Sequence, residues 1–260
     1  MSSTEITADQ PLNPRKRAII VGASSGLGAA MARELARQGY LLALLARRED
    51  RLEALCKEIN AGDAAPKAFF YVHDVTDFDS IPALFQQVTR EIGGLDLFVY
   101  TAGHQESMTF EEYDFVKDKA MIDVNLLGAM AWLGQAALRF ERAKSGHIVG
   151  ISSISGDRGR RLNPGYNTSK AALTTYLEAL RNRVARYGVT VTTVKPGFMD
   201  TDLLVHASRA MWVVSPESAA SQIWTAIRRK KQTVYIPKRW RFFMFIIRSI
   251  PSIIFRRLSI

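Results

Sequence analysis

A tyrosine and a lysine four residues apart, Tyr166 and Lys170, follow thirteen positions after Ser153. On a helix such neighbours project from one face. The ammonium then stands beside the phenol and favours its ionised form, drawing a pKa of about 10 towards the working range. A tuned phenol next to a serine hydroxyl can hydrogen-bond a carbonyl oxygen and hand it a proton. That chemistry needs a hydride source. The spacing alone also fits a half-buried Tyr and a solvated Lys on any helix, so the surrounding elements must decide.

The run over 17–21 is apolar and β-branched, a buried strand by pattern. Gly22-Ala23-Ser24-Ser25-Gly26-Leu27-Gly28 follows at once, and a helical pattern over 29–36 comes next. Strand, glycine turn and helix start make an anion site, because glycines admit close backbone approach and free N–H groups point at a pyrophosphate. A second strand over 41–46 ends in Arg47-Arg48. An acid there would accept from a ribose 2′-hydroxyl; two guanidiniums suit a 2′-phosphate instead. This predicts NADP(H) over NAD(H). The same arginines also fit the solvated start of a helix over 49–59.

Together these residues resemble the short-chain dehydrogenase/reductase family over nearly the whole chain. His73-Asp74-Val75 matches its adenine-side strand end. Thr101-Ala102-Gly103 stands where the family usually has Asn-Ala-Gly, Asn125 matches its helix Asn, and Pro196-Gly197 to Thr201 matches the nicotinamide-side segment. The resemblance implies Tyr166 as general acid, Lys170 on the phenol and the nicotinamide ribose, and Ser153 orienting the carbonyl. It also implies Asn125 supporting a water in the proton relay. A homo-oligomer is expected. The segments 152–161 and 248–260 further resemble reductases of decaprenylphosphoryl-2-keto-ribose, which implies a lipid-linked keto-sugar substrate.

At 260 residues and 47% apolar content the chain suits one sizeable core. Apolar runs near 18–21, 41–46, 68–72, 95–99, 147–152, 189–194 and 233–236 alternate with helical patterns. The expected fold is α/β, one doubly wound, Rossmann-like parallel sheet. Residues 1–16 read as a loose polar arm, 17–237 as the dinucleotide-binding and catalytic domain, and 238–260 as a basic amphipathic extension. Ser215-Pro216-Glu217 reads as a helix cap. Cys56 is the sole cysteine, and suits packing in a reducing compartment. His73, His104, His147 and His206 lack ligand spacing, so no metal is expected, and no signal peptide is visible.

The net charge of +10 is concentrated. Ten of the 35 basic residues lie from Arg228 onward and no Asp or Glu follows Glu217, so residues 1–227 carry 25 charges of each sign. The same tail holds Trp240, the aromatic-aliphatic run 242–247, Ile250, residues 253–255 and Leu258. With Arg248 and Pro251 interrupting it, it is too short for a bilayer span of about 20 residues. It fits a helix lying in the interface, arginines among anionic headgroups, or a helix docked on a partner subunit. Its aliphatic density argues against nucleic acid. The expected location is the cytoplasm, at the inner face of a membrane. Between Ser153 and Tyr166, Arg158, Arg160 and Arg161 either clamp a substrate phosphate or pair with Asp157 and meet a subunit. Residues 198–214, with Leu203, Leu204, Val205, Met211, Trp212 and Val213, read as an apolar substrate lid. The expected reaction is hydride transfer to a ketone, on a lipid-linked keto sugar or another apolar ketone (ketosphinganine, acyl or steroid-like). A cofactor-binding membrane scaffold without turnover would have no use for the tuned phenol.

Overall fold

The computed structural model describes residues 16–62, 65–206 and 210–258, with the backbone alone at 205 and 206. Most of the expected N-terminal arm, the His206 side chain and Ser259 therefore lie outside the described residues. Seven strands form one parallel sheet: β1 (Arg17–Val21), β2 (Leu41–Ala46), β3 (Ala68–Val72), β4 (Leu97–Tyr100), β5 (His147–Ile151), β6 (Thr190–Pro196) and β7 (Thr233–Ile236). Their order is β3-β2-β1-β4-β5-β6-β7. β2 is buried along all six residues and β4 along all four, as strands covered on both faces must be.

One face carries α1 (Gly26–Arg37), α2 (Glu49–Asn60) and α7 (Pro216–Arg228). Ser215 caps α7, its Oγ accepting from Ser218 N at 3.2 Å. Cys56 is buried on α2, and that burial pushes its thiol up to about 12, which leaves it unreactive. The other face carries α3 (Ile81–Glu91), α4 (Phe115–Ile122), α5 (Gly128–Ala143) and α6 (Pro164–Val184). Residues 115–143 form a helical run long and apolar enough to cross a membrane. Yet Trp132, Leu133 and Phe140 are fully buried in the core of this face, so it packs as a core helix.

A third, smaller cluster holds the tail. In α8 (Trp240–Ser249), Trp240, Met244 and Ile247 are buried with Ile154, against Phe198, Trp212 and Tyr235. The tail is not the continuous helix that a 100° periodicity would draw. Ile250 is extended because it precedes Pro251, whose ring disfavours helix at the preceding residue. A single turn, α9 (Ser252–Phe255), follows.

Candidate active site

The strand order reverses between β1 and β4, and the crevice beyond the carboxyl ends of such strands is where α/β sheets bind ligands. The turn from Gly22 to Gly28 leaves β1 there and Thr101-Ala102-Gly103 leaves β4 beside it. Gly28 packs so tightly that a Cβ would stand 2.0 Å from the Gly22 carbonyl oxygen; only glycine lets α1 start this close to the strand. The first turn of α1 has no side-chain cap, so its N–H groups stay available to an anion. Leu27 is buried beneath the turn, and Thr201 reaches over Gly26 from the β6 side. Thr101 replaces the family's amide with one firm bond, its hydroxyl donating to Val21 O at 2.7 Å and tying β4 to β1.

The arginines at the end of β2 divide. Arg48, rather than Arg47, closes on the turn: its guanidinium donates to Ser24 Oγ at 3.0 and 3.1 Å and to Ser25 Oγ at 2.5 Å. Arg47 turns to Asp74, 3.6 Å away across the end of β3, where Val75 is buried. Arg51, one turn into α2, adds a third guanidinium, and it shares Asp202 with Arg48 at 3.8 Å. Neither Arg51 nor Asp202 is flagged by the sequence motifs; the register of Arg48 and Arg51, one helical turn apart, was the available signal. Burial, then Arg51, push the Arg48 guanidinium down, the mark of cations gathered with too little acid. These residues, with the uncapped helix start and the tight glycine turn, fit a dinucleotide pyrophosphate and adenosine.

Beyond β5 the candidate catalytic residues assemble. Ser153, at the strand exit, accepts from Ser155 N at 3.0 Å, and its hydroxyl favours the ionised Tyr166 phenol. Tyr166 and Lys170 share a face of α6, the ammonium 5.7 Å from the phenol ring centroid. Lys170 is 4% exposed, donates to Ile151 O at 3.1 Å, and is pushed down to about 8 by burial. Ser152 anchors α6 by donating to Lys170 O at 2.9 Å. Burial also pushes the Tyr166 phenol up, opposed by the Ser153 hydrogen bond and then by the charge of Arg160. Arg160 thus adds a second positive charge, besides the Lys170 ammonium, on the side of the phenol.

Asn125 sits in a π-helical turn, Asp123–Leu127, that interrupts the run from α4 to α5. Such turns widen a helix at functional sites. Its buried amide accepts from His104 N at 2.7 Å and donates to His104 O at 2.8 Å and Ser169 Oγ at 3.0 Å. Asn125 thereby clamps the β4 exit to α6. A Cβ on Gly103 would lie 3.5 Å from Asn125 Oδ1 and 3.6 Å from Lys170 Nζ, so the β4 exit runs beside both.

The loop between Ser153 and Tyr166 is built around Asp157, which is not paired with an arginine. It binds Lys195 Nζ at 2.5 Å and the Tyr235 hydroxyl at 2.8 Å. Arg158 donates to the carbonyls of Ile247 at 2.5 Å and Ile250 at 2.6 Å, capping the end of α8, and lies 3.8 Å from the Phe255 ring centroid. Arg161 stands over Phe110. Across the sheet end, Gly197 leaves β6 under Trp240; a Cβ there would meet the indole at 2.0 Å. The lid segment returns through a bridge between Met199 and Val214, and its Trp212 packs edge-on against Trp240 at 4.9 Å. Leu203, Met211 and Val213 remain exposed. Among the described residues no group of three or more His, Cys, Asp or Glu gathers to hold a metal.

Comparison with known proteins agrees with this geometry. An uncharacterized oxidoreductase of Mycobacterium tuberculosis is 34% identical over 224 residues, covering 86% of this chain and 88% of that protein. The ketoacyl reductase HetN of Nostoc is 30% identical, covering 85% and 78% respectively. Among solved structures, ElxO with NADP bound superposes with a TM-score of 0.77 at 22% identity, covering 85% of this chain and 97% of that one. An alcohol dehydrogenase from Thermococcus sibiricus, complexed with 5-hydroxy-NADP, gives 0.76 at 27%, covering 85% and 95%. The short chain dehydrogenase model matches residues 16–212, and the chain belongs to that oxidoreductase family.

Proposed function

We propose that the protein is an NADP(H)-dependent carbonyl reductase acting on a ketone borne by an amphiphile at a membrane surface. The convergence of Ser153 at the β5 exit with Tyr166 and the buried Lys170 on one face of α6 carries the reductase reading. A bound nicotinamide supplies the hydride. Ser153 Oγ holds the carbonyl oxygen, and the Tyr166 hydroxyl gives its proton to that oxygen as negative charge develops there. Lys170, anchored to Ile151 O, holds the ribose side and keeps positive charge near the phenol. Arg48, Arg47 and Arg51 around the β2 end favour a 2′-phosphate over a bare ribose.

The amphiphile follows from the tail and lid. Phe242 and Phe245 are 71% and 69% exposed and, with Ile246, lie on the side of α8 away from the buried Trp240, while Ile253 and Ile254 on α9 are exposed too. Lys238, Arg241 and Arg248 line the same 440 Å³ groove as Phe242 and Phe245. Apolar side chains ringed by cations suit an anionic bilayer, and the apolar lid suits a greasy substrate. A lipid-linked keto sugar, such as decaprenylphosphoryl-2-keto-ribose, is the substrate class this combination favours. The similarity to a ketoacyl reductase favours a second reading, an acyl ketone.

NADPH oxidation against a panel of keto sugars and acyl ketones tests the reaction. Wild type should reduce at least one and Tyr166→Phe none; a wild type silent on every ketone overturns the reading. Arg48→Asp should shift preference from NADPH towards NADH by about ten- to a hundred-fold, as one or two charge-assisted hydrogen bonds would; an unchanged ratio rejects the cofactor preference. Phe242→Glu with Phe245→Glu should abolish sedimentation with phosphatidylglycerol vesicles, and undiminished binding rejects the membrane surface.

A further inference from the structure

Of the three arginines between Ser153 and Tyr166, Arg158 and Arg161 point elsewhere and Arg160 faces the catalytic residues. Arg160 is half-buried, donates to Ser155 Oγ, and so stands one residue contact from the Ser155 N–H that binds Ser153 Oγ. A guanidinium offers five N–H donors, and this one places a single bond among the described residues. No carboxylate lies within 4 Å of it there, and Asp157, the acid nearest in sequence, is already committed to Lys195 and Tyr235. Its backbone is fixed: Asn167 Nδ2, from the first turns of α6, donates to Arg160 O at 3.3 Å and Leu162 O at 3.0 Å. A partly desolvated cation without a counter-ion is unfavourable unless a ligand supplies one.

We infer that Arg160 is a subsite for an oxyanion, phosphate or carboxylate, carried by the carbonyl substrate next to its keto group. The inference rests on the reductase reading. The planar fork matches two oxygens of such a group, and engaging it would hold the keto carbon near Ser153 and Tyr166. Burial pushes the Arg160 guanidinium down and the Tyr166 charge pushes it up, which agrees with a cation that lacks an acidic partner of its own. The opposing assignment is that the Tyr166 phenolate alone is its counter-ion, leaving nothing for the substrate to bind.

A matched pair of alkyl ketones, one bearing a phosphate and the other a hydroxyl in its place, separates these. In Arg160→Met the ratio of kcat/KM for the phosphate ketone over the hydroxyl ketone should fall about ten- to a hundred-fold, mostly in KM, while Arg160→Lys should retain part of it. Calorimetric titration of the NADPH complex with inorganic phosphate, at fixed ionic strength, should show a site in wild type that Arg160→Met lacks. Equal losses on both ketones, with an altered pH profile and no phosphate site, assign Arg160 to the phenolate and overturn the subsite. Unfolded Arg160→Met would be seen by its thermal melt, and Arg160→Lys then decides alone. Wild type inactive on both ketones, but with an Arg160-dependent phosphate site, would instead sink the reductase reading and leave the subsite standing.

Discussion

The cofactor half and the substrate half of the sheet edge are held by different means. At the ends of β1, β2 and β4 the surface is mostly main chain: a glycine turn, an uncapped helix start and a few partly exposed arginines. At the ends of β5, β6 and β7 long side chains do the holding. Asp157 reaches Tyr235 and Arg158 reaches Ile247 and Ile250, contacts between residues 78 to 92 positions apart. A surface made by backbone keeps its shape when its side chains change. One made by buried polar contacts can be re-aimed by a few substitutions, and is also easier to break. The difference places the more easily altered contacts where a substrate would bind and the backbone-built surface where a cofactor would lie.

The contrast breaks most sharply at Tyr166. Tyr166→Phe removes one hydroxyl from the substrate half and should lower kcat by about 10²–10⁴ fold, the usual weight of a positioned proton donor. Cofactor binding, held by the other half, should stay within a few-fold by fluorescence titration. If NADPH affinity fell as far as kcat, the two halves would not be separable.

Next in size is a pH effect confined to the substrate half. Lys170 is buried with its pKa near 8, against about 10.4 for a free lysine. Between those values the unfolded chain binds more protons than the folded one, so stability rises with pH over about 8–10, by roughly 3 kcal/mol at full effect. Tyr166, pushed upward, works in the opposite sense: above pH 10 the folded chain keeps the proton that the unfolded chain releases, and stability declines. Urea midpoints of wild type minus Lys170→Met should climb through the lower window. A flat difference would mean the ammonium is better solvated than its 4% exposure indicates.

Arg158→Met tests the long-range stitching. It removes charge-assisted bonds to Ile247 and Ile250 and the contact with Phe255. The loss should be about 1.5–3 kcal/mol, and hydrogen exchange should show α8 and α9 opening before the sheet. Coincident opening would make the tail part of the main core instead of an appended layer.

Legibility followed the same division. The strands were readable because both-face burial writes unbroken apolar runs such as residues 41–46, and all seven lie within two residues of their expected positions. The glycine turn and the Ser153–Tyr166–Lys170 spacing were readable because local geometry demands those residue types. What sequence left open was side-chain direction. Arg47 and Arg48 are adjacent and equivalent on paper, but Arg48 occupies the entry to α2, from which it turns back to Ser24 and Ser25. Arg158, Arg160 and Arg161 look equivalent in sequence, but Arg158 turns to the tail some ninety residues away, Arg160 to Ser155 and Arg161 to Phe110. Asn125 was found by its motif, while its partner His104 lies in a loop with no pattern to mark it.

The smallest effect sharpens the comparison from the cofactor side. Thr101 gives that half one of its few side-chain bonds, to Val21 O at 2.7 Å. Thr101→Val keeps the volume and deletes the donor, leaving a carbonyl that already accepts from the Thr101 and Ala102 N–H groups at 2.8 and 3.0 Å. Because Val21 O remains satisfied, the loss should stay near 1 kcal/mol, the net value of an ordinary hydrogen bond. NADPH affinity should change less than threefold, since the turn's shape comes from Gly22 and Gly28 rather than from this hydroxyl. Thermal melts with and without NADPH measure both quantities. An affinity loss of tenfold or more would mean that Thr101 shapes the cradle directly, and that the cofactor half depends on side chains as the substrate half does.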